Sequence, residues 1–92
     1  MKHINIKVKG KVQGVYFRAS TKAVADQVGA NGFVVNLKDG SVYIEAEGDM
    51  FALDALVEFC HEGPDDAVIE SVEVEEIVEL KGFKNFEILK RI

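Results

Sequence analysis

Residues 8–18 read Val8-Lys9-Gly10-Lys11-Val12-Gln13-Gly14-Val15-Tyr16-Phe17-Arg18. Three kinds of structure follow one another within this stretch. It opens as the end of a run with period two, passes two glycines four positions apart, and closes on an arginine that begins a run with helical period. Glycine lets a backbone take positive φ and approach a ligand closely. A glycine-bearing turn that leads into a helix can aim several N–H groups into one concavity, and such a concavity binds anions. Arg18 at its rim adds a planar, permanently charged fork suited to phosphate oxygens. The stretch therefore reads as a phosphate cradle between a strand and a helix.

Upstream, His3–Lys9 alternates, with Ile4, Ile6 and Val8 on one side and Asn5, Lys7 and Lys9 on the other, which predicts a half-buried strand. His3 falls on its exposed phase. Downstream, Phe17, Thr21, Val24, Ala25 and Val28 recur at helical spacing, and Gly29 stands where a helix ends. The dipole of that helix faces the same anion as the loop. Asn31-Gly32 reads as a turn and Phe33–Asn36 as a short strand. Asp39-Gly40 is a hairpin signal. Val42, Ile44 and Ala46 then alternate with Tyr43, Glu45 and Glu47. Asp49 is an N-cap residue for a second helix, with Leu53, Leu56, Val57 and Cys60 as its core stripe and Gly63-Pro64 as its stop. Val68–Glu79 reads as a long strand with Val72 and Val74 inward, Glu73 and Glu75 outward, and a bulge at Glu75-Glu76. Phe86 and Ile88 belong to a short terminal strand.

The order strand, helix, strand, strand, helix, strand predicts an α+β fold, the ferredoxin-like split βαβ (βαββαβ) sandwich, with two helices on one face of an antiparallel sheet. The other face is left to water, in keeping with its charged positions. In this order Asn36 comes within reach of the loop after the first strand.

Ninety-two residues with no linker or repeat make a single domain, 1–92. Nearly half the residues are apolar, which excludes disorder. A lone cysteine, Cys60, excludes an internal disulfide, and nothing near the N-terminus is long and apolar enough for a signal peptide or a membrane span. A cytoplasmic protein is expected. The net charge is −5, yet residues 1–25 carry six Lys and Arg and no Asp or Glu, whereas residues 45–79 carry thirteen Asp and Glu and no Lys or Arg. That balance argues against nucleic acid as a partner. The basic end coincides with the cradle and can draw in a small anion. The acidic half reads as a solvated face. Its strand Val68–Glu79 repels its own kind, which points to a monomer.

The pattern Gly-x-Val-Gln-Gly-Val-x-Phe-Arg over Gly10–Arg18 resembles the signature of the acylphosphatases. A second stretch, Gly32-Phe33-Val34-Val35-Asn36 followed by Gly40, Val42 and Gly48, is similar to another stretch of that family. The likeness extends over essentially the whole chain. It implies hydrolysis of the carboxyl–phosphate bond of small acyl phosphates by direct attack of water, with no metal and no cofactor. It implies further that Arg18 binds the phosphoryl group and Asn36 orients the water. The backbone N–H groups of Lys11, Val12, Gln13, Gly14, Val15, Tyr16 and Phe17 complete the cradle. Two positions depart from the family pattern. Val35 stands where a longer polar residue is common, pointing away from Asn36, and Phe33 stands where Trp is frequent, which reads as a core exchange.

This chemistry suits the residues present. Phosphoryl transfer asks chiefly for positioning and charge stabilisation. An asparagine amide can hold a water by accepting and donating at once. A carboxylate leaves without a general acid, so no acid–base dyad is required. Gln13 more plausibly braces the loop than touches substrate, and Lys11 reads as solvated. Ser20 and Thr21 read as core or capping residues. Cys60 lies on a core stripe and reads as an inert thiol. No carboxylate stands at metal-ligand spacing with His or Cys, so no metal is expected. The loop lacks the Gly-Lys-Ser/Thr ending of a nucleotide P-loop. Two competing functions remain open to the same sequence. One is a catalytically idle ferredoxin-like module that binds a phosphorylated ligand or a protein partner. The other is an RNA-binding module of this topology, disfavoured by the acidic balance.

Overall fold

Strand β1 (Lys2–Lys11) buries Ile4, Ile6 and Val8 on one face, as their alternation requires. It is the second strand of a five-stranded sheet in the order β4-β1-β3-β2-β5, in a computed structural model that describes residues 1–92. Helix α1 (Phe17–Val28) follows, then β2 (Asn31–Asn36), β3 (Val42–Gly48), α2 (Met50–Glu62), β4 (Val68–Ile77) and β5 (Phe86–Leu89). The first four strands pair antiparallel throughout, which gives the ferredoxin-like sandwich its frame. Both helices pack on one face. Phe17 and Ala25 of α1, with Leu53, Leu56 and Cys60 of α2, meet Ile6, Val8, Val34 and Ile44 of the sheet in one apolar cluster. Burial drives the Cys60 thiol up to about 12, so it stays protonated and inert.

The helix ends obey local rules. Asp49 caps α2, its carboxylate accepting from Ala52 N at 2.7 Å. At the other end of α1, Gly29 N and Ala30 N both donate to Ala25 O at 2.9 Å. Asn31-Gly32 is not a turn, however. Both residues belong to β2, which begins directly after Ala30. Gly32 has φ +150°, and a Cβ there would stand 1.9 Å from Glu45 O on the neighbouring strand. Close approach of two backbones, rather than a reversal of direction, is what demands glycine at this position. The bulge also lies elsewhere than expected. The register of β1 against β4 shifts between Lys9 and Gly10, where Glu70 is passed over, and Glu75 and Glu76 pair regularly with Asn5 and Ile4. Val74 takes the helix side as expected, but at the sheet edge it remains 47 % exposed.

The face opposite the helices departs most from expectation. Strand β5 lies at the far edge from β4 and runs parallel to β2, with Gly32 opposite Phe86 and Val35 opposite Leu89. Residues 78–85 must therefore cross the whole sheet, and they do so over the face that the alternation of charges had left to water. His3, Glu45 and Glu47 point to that face and are buried beneath the crossing. His3 Nδ1 donates to Glu79 O at 2.7 Å, and its Nε2 lies 3.0 Å from Glu45 Oε1. Glu45 also accepts from Tyr43 Oη at 2.9 Å and pairs with Lys81 Nζ at 3.0 Å. Glu47 accepts from three successive backbone N–H groups, those of Lys81, Gly82 and Phe83, the latter two at 3.0 Å. Phe33 belongs to this layer and not to the helix-side core. Its ring lies 6.0 Å from that of Tyr43 and 5.9 Å from that of Phe83.

Burial is the largest influence on the Glu47 carboxyl and pushes its pKa up. The N–H groups of Lys81, Phe83 and Gly82 and the charge on His3 together outweigh it, so the pKa ends below the ordinary 4.5. A carboxyl with a lowered folded pKa contributes stability that is present above its unfolded pKa and lost as pH falls through the folded one. Glu47→Gln is therefore expected to cost about 2 kcal/mol of unfolding free energy near pH 7, the scale of hydrogen bonds to a charged group. The gap should narrow as the pH falls below the ordinary 4.5, because the unfolded chain takes up its proton before the folded carboxyl does. Urea denaturation above and below that value checks this, and an undiminished gap at low pH would show that the charge is not what fastens the segment.

Candidate functional site

Residues 12–16 carry the chain from β1 to α1 and shape a cleft of about 390 Å³. Its lining is Val12, Gly14, Tyr16, Phe17, Arg18, Ala19, Asn36 and Ile88. Gly14 has φ +73°, and a Cβ there would meet nothing within 4 Å. It is backbone conformation, not space, that calls for glycine here. Tyr16 is the N-cap of α1 and has φ 64° and ψ 21°, the only residue other than glycine with positive φ. That conformation costs on the order of 1 kcal/mol or more for a side chain of this size.

Tyr16 makes no side-chain cap to the helix, and no acidic residue stands in the first turn. The first intrahelical bond of α1 runs from Ser20 N to Tyr16 O at 3.0 Å. The N–H groups of Gly14 to Ala19 donate to no main-chain oxygen. Most helices satisfy such groups with a capping side chain. Here Gly14, Tyr16, Phe17, Arg18 and Ala19 stand at the wall of a cleft, together with the positive end of the helix dipole.

Two side chains complete the arrangement. Arg18 is half-buried, and its Nη1 donates to Leu89 O of β5 at 3.4 Å, a long contact that leaves most of the guanidinium donors free. It is the only charged residue of the lining, and no carboxylate faces it there. Asn36, the last residue of β2, makes no hydrogen bond through its amide, and its Oδ1 is buried without a partner. A buried acceptor left unpaired costs about 1–3 kcal/mol. Orphans of this kind are rare enough to point to a ligand or a bound water.

Of the loop residues expected to form the cradle, Val12, Gly14, Tyr16 and Phe17 line the cleft, and Lys11, Gln13 and Val15 do not. Lys11 still belongs to β1, opposite Val68, with an exposed side chain. Val15 turns into the core. Gln13 braces the loop, its Nε2 donating to Leu37 O at 2.8 Å and to Ser41 O at 2.9 Å. Thr21 donates back to Phe17 O at 2.8 Å within the helix. Strands β1 and β2 are not neighbours, since β3 lies between them. Asn36 reaches the cleft because it sits at the sheet end from which the loop departs. Ala19 and Ile88 were not foreseen as lining residues. Ile88 has no local signal, because only the parallel pairing of β5 on β2 brings it there. Val35 takes the face opposite Asn36, is fully buried, and stands between Tyr43 and Leu89. No group of three His, Cys, Asp or Glu is placed to hold a metal ion.

A family model described as Acylphosphatase matches residues 4–88. The chain is 51 % identical to the acylphosphatase of Marinobacter nauticus over 79 residues, 86 % of each chain. It is 47 % identical to that of Rubrobacter xylanophilus over 87 residues, 95 % of this chain and 79 % of that one. Among solved structures, the acylphosphatase from Bacillus subtilis aligns with a TM-score of 0.94 at 37 % identity, covering 97 % of this chain and 99 % of that one.

The Gln13 brace carries its own expectation. Leu37 O also accepts from Gly40 N and Ser41 O from Leu37 N, so removing Gln13 leaves neither carbonyl orphaned. Gln13→Ala should therefore cost only about 1 kcal/mol in overall stability. Amide hydrogen exchange across residues 12–16 should accelerate well beyond that of the sheet. Uniform acceleration over the whole chain would contradict a local brace.

Proposed function

The chain belongs to the acylphosphatase family, and on that premise we propose how its cleft hydrolyses the carboxyl–phosphate bond of small acyl phosphates. The observation that carries the proposal is the meeting of Arg18, Asn36 and the uncapped start of α1 on one cleft. The phosphoryl oxygens rest against the N–H groups at the helix start, where dipole and donors both favour negative charge. Arg18 forks onto the same oxygens and takes up the charge that spreads over them in the transition state. The side-chain amide of Asn36, on the cleft lining, hydrogen-bonds the attacking water and so fixes its approach.

The water oxygen bonds to phosphorus as the bond from phosphorus to the acyl oxygen breaks. The bonding pair leaves with the carboxylate. One proton of the water passes to a phosphoryl oxygen, so the products are a carboxylate and dihydrogen phosphate, and charge balances without a protein acid or base. The positive charge needed comes from Arg18 and the helix start, so the reading calls for no metal and no cofactor. Arg18, Asn36 and the backbone of Val12, Gly14, Tyr16 and Phe17 are the groups assigned to the site. The lone buried thiol of Cys60 supports a cytoplasmic location. Elements from both ends of the chain contribute to one sheet and one core cluster, which supports a single domain. The edge strand β4, with Glu70, Glu73, Glu75 and Glu76, discourages pairing with a second copy and supports a monomer. A passive phosphate-binding module would not need Asn36 Oδ1 unpaired, and that favours the enzyme.

Benzoyl phosphate hydrolysis, followed by ultraviolet absorbance, tests the assignment. The wild type is expected to turn over equally with and without a metal chelator. Asn36→Ala should lose about 100-fold or more in kcat, the loss typical of one well-placed transition-state group, with little change in KM. Arg18→Gln should weaken inhibition by inorganic phosphate about tenfold or more, as the loss of a charge-assisted contact requires. Full turnover by Asn36→Ala would remove the asparagine from the mechanism. Undiminished phosphate inhibition in Arg18→Gln would do the same for the arginine.

A further inference from the structure

We propose that Tyr16 and Ile88 form an acyl-group subsite that selects substrates with an aromatic or bulky apolar acyl part; this rests on the cleft being the site of acyl phosphate hydrolysis. The cleft has two chemical characters. Its polar part is Arg18, Asn36 and the helix start, all of which suit the phosphoryl group. The rest of its lining is apolar, and two of its larger side chains are out of reach: Val12 is 1 % exposed and Phe17 2 %. Tyr16 is 81 % exposed and Ile88 42 %. These are the two large apolar side chains of the lining that a ligand can touch.

Tyr16 is also hard to account for by the fold alone. It occupies the left-handed region, where glycine or asparagine would stand without strain. Its ring takes part in none of the aromatic pairs of the protein, and its side chain does not cap the helix it precedes. The sequence thus keeps a large, strained, solvent-facing aromatic at the rim of the cleft with no packing to offset it. Strain held where the fold does not need it is a mark of function. Ile88 is delivered to the same cleft by β5, whose neighbour Leu89 holds Arg18. No charged residue other than Arg18 lines the cleft, so nothing in it would favour a second charge on the acyl part. An uncharged ring, by contrast, can stack on the phenol and bury apolar surface against Ile88.

The test compares kcat/KM for benzoyl phosphate and acetyl phosphate, because the intrinsic reactivity of the two substrates cancels when variants are set against the wild type. Tyr16→Gly suits the local backbone conformation and should fold. In it the benzoyl-to-acetyl ratio should fall about tenfold, the scale of a lost aromatic stack, and Ile88→Ala should lower the ratio in the same sense. Tyr16→Phe should keep the wild-type ratio, since the ring and not the hydroxyl is at work. Phe51→Ala, at an equally exposed aromatic on α2, should keep it too. Wild-type ratios in both Tyr16→Gly and Ile88→Ala, with both substrates still hydrolysed, would overturn the subsite and leave the reaction standing. Hydrolysis of neither substrate by the wild type would overturn the reaction, and the subsite with it.

Discussion

One row of the sheet sets the geometry on which the cleft depends. Val8 of β1 pairs with Val42 of β3, and Val42 pairs with Asn36 of β2. The three residues stand side by side, about 10 Å from end to end at ordinary strand spacing. Immediately after Val8 the first strand bulges at Lys9/Gly10 and gives way to the loop, and immediately after Asn36 the second strand gives way to the hairpin at Asp39-Gly40. A register slip of one residue in either pairing would turn Asn36 to the opposite face of the sheet, away from the loop. Register is fixed here by burial. Val8, Val34, Val42 and Ile44 are wholly enclosed under the helices, and a slip would carry all of them to the wrong side.

The far face of the sheet serves the same end by a longer route. Glu47 gathers the N–H groups of Lys81–Phe83, and His3 takes Glu79 O, so the crossing segment is held along its length. Gly32 N then donates to Asn85 O at 2.8 Å, and β5 begins. From the other side, Lys22 of α1 donates to Phe86 O at 2.9 Å, and Phe86 inserts into the core. Only a strand fixed at both its entry and its flank can present Leu89 O to Arg18 and Ile88 to the cleft. The buried carboxylates therefore act on the cleft from a distance, through the placement of one edge strand. Burying Glu47 is costly in itself and is tolerated because three backbone donors and His3 compensate the charge.

How far the sequence discloses this arrangement depends on how local each signal is. Period two in β1 and β3, period 3.6 in α1 and α2, the Asp49 cap and the Gly29 stop are decided by neighbours in the chain, and they can be read there. The glycine loop, Arg18 and Asn36 are legible for the same reason, with the family motif to support them. What escapes is non-local. Gly32 resembles a turn residue next to Asn31, whereas its need for glycine arises from Glu45 O on another strand. Glu45 and Glu47 follow the pattern of solvated positions because alternation records which face a side chain takes, not what later covers that face. The parallel placement of β5 depends on a crossing segment with no periodicity of its own, and so the presence of Ile88 in the cleft could not be inferred.

The exceptions to local rules gather in one place. Elsewhere the molecule satisfies its polar groups with some care: Thr21 bonds its own helix, Asp39 accepts from Ser41, and Glu47 is surrounded by donors. At the cleft a helix starts without a cap, a tyrosine sits in the left-handed region, and an asparagine oxygen is buried without a partner. Each of these costs free energy in the unliganded protein, and each can be compensated by a bound group of the right kind. An anion would satisfy the helix start, a water the asparagine, and an apolar group would cover the tyrosine. These three demands describe a phosphoryl group, an attacking water and an acyl part, which together make up the reactants of acyl phosphate hydrolysis. A sequence that leaves these three demands unmet at a single cleft is specifying a site as well as a fold.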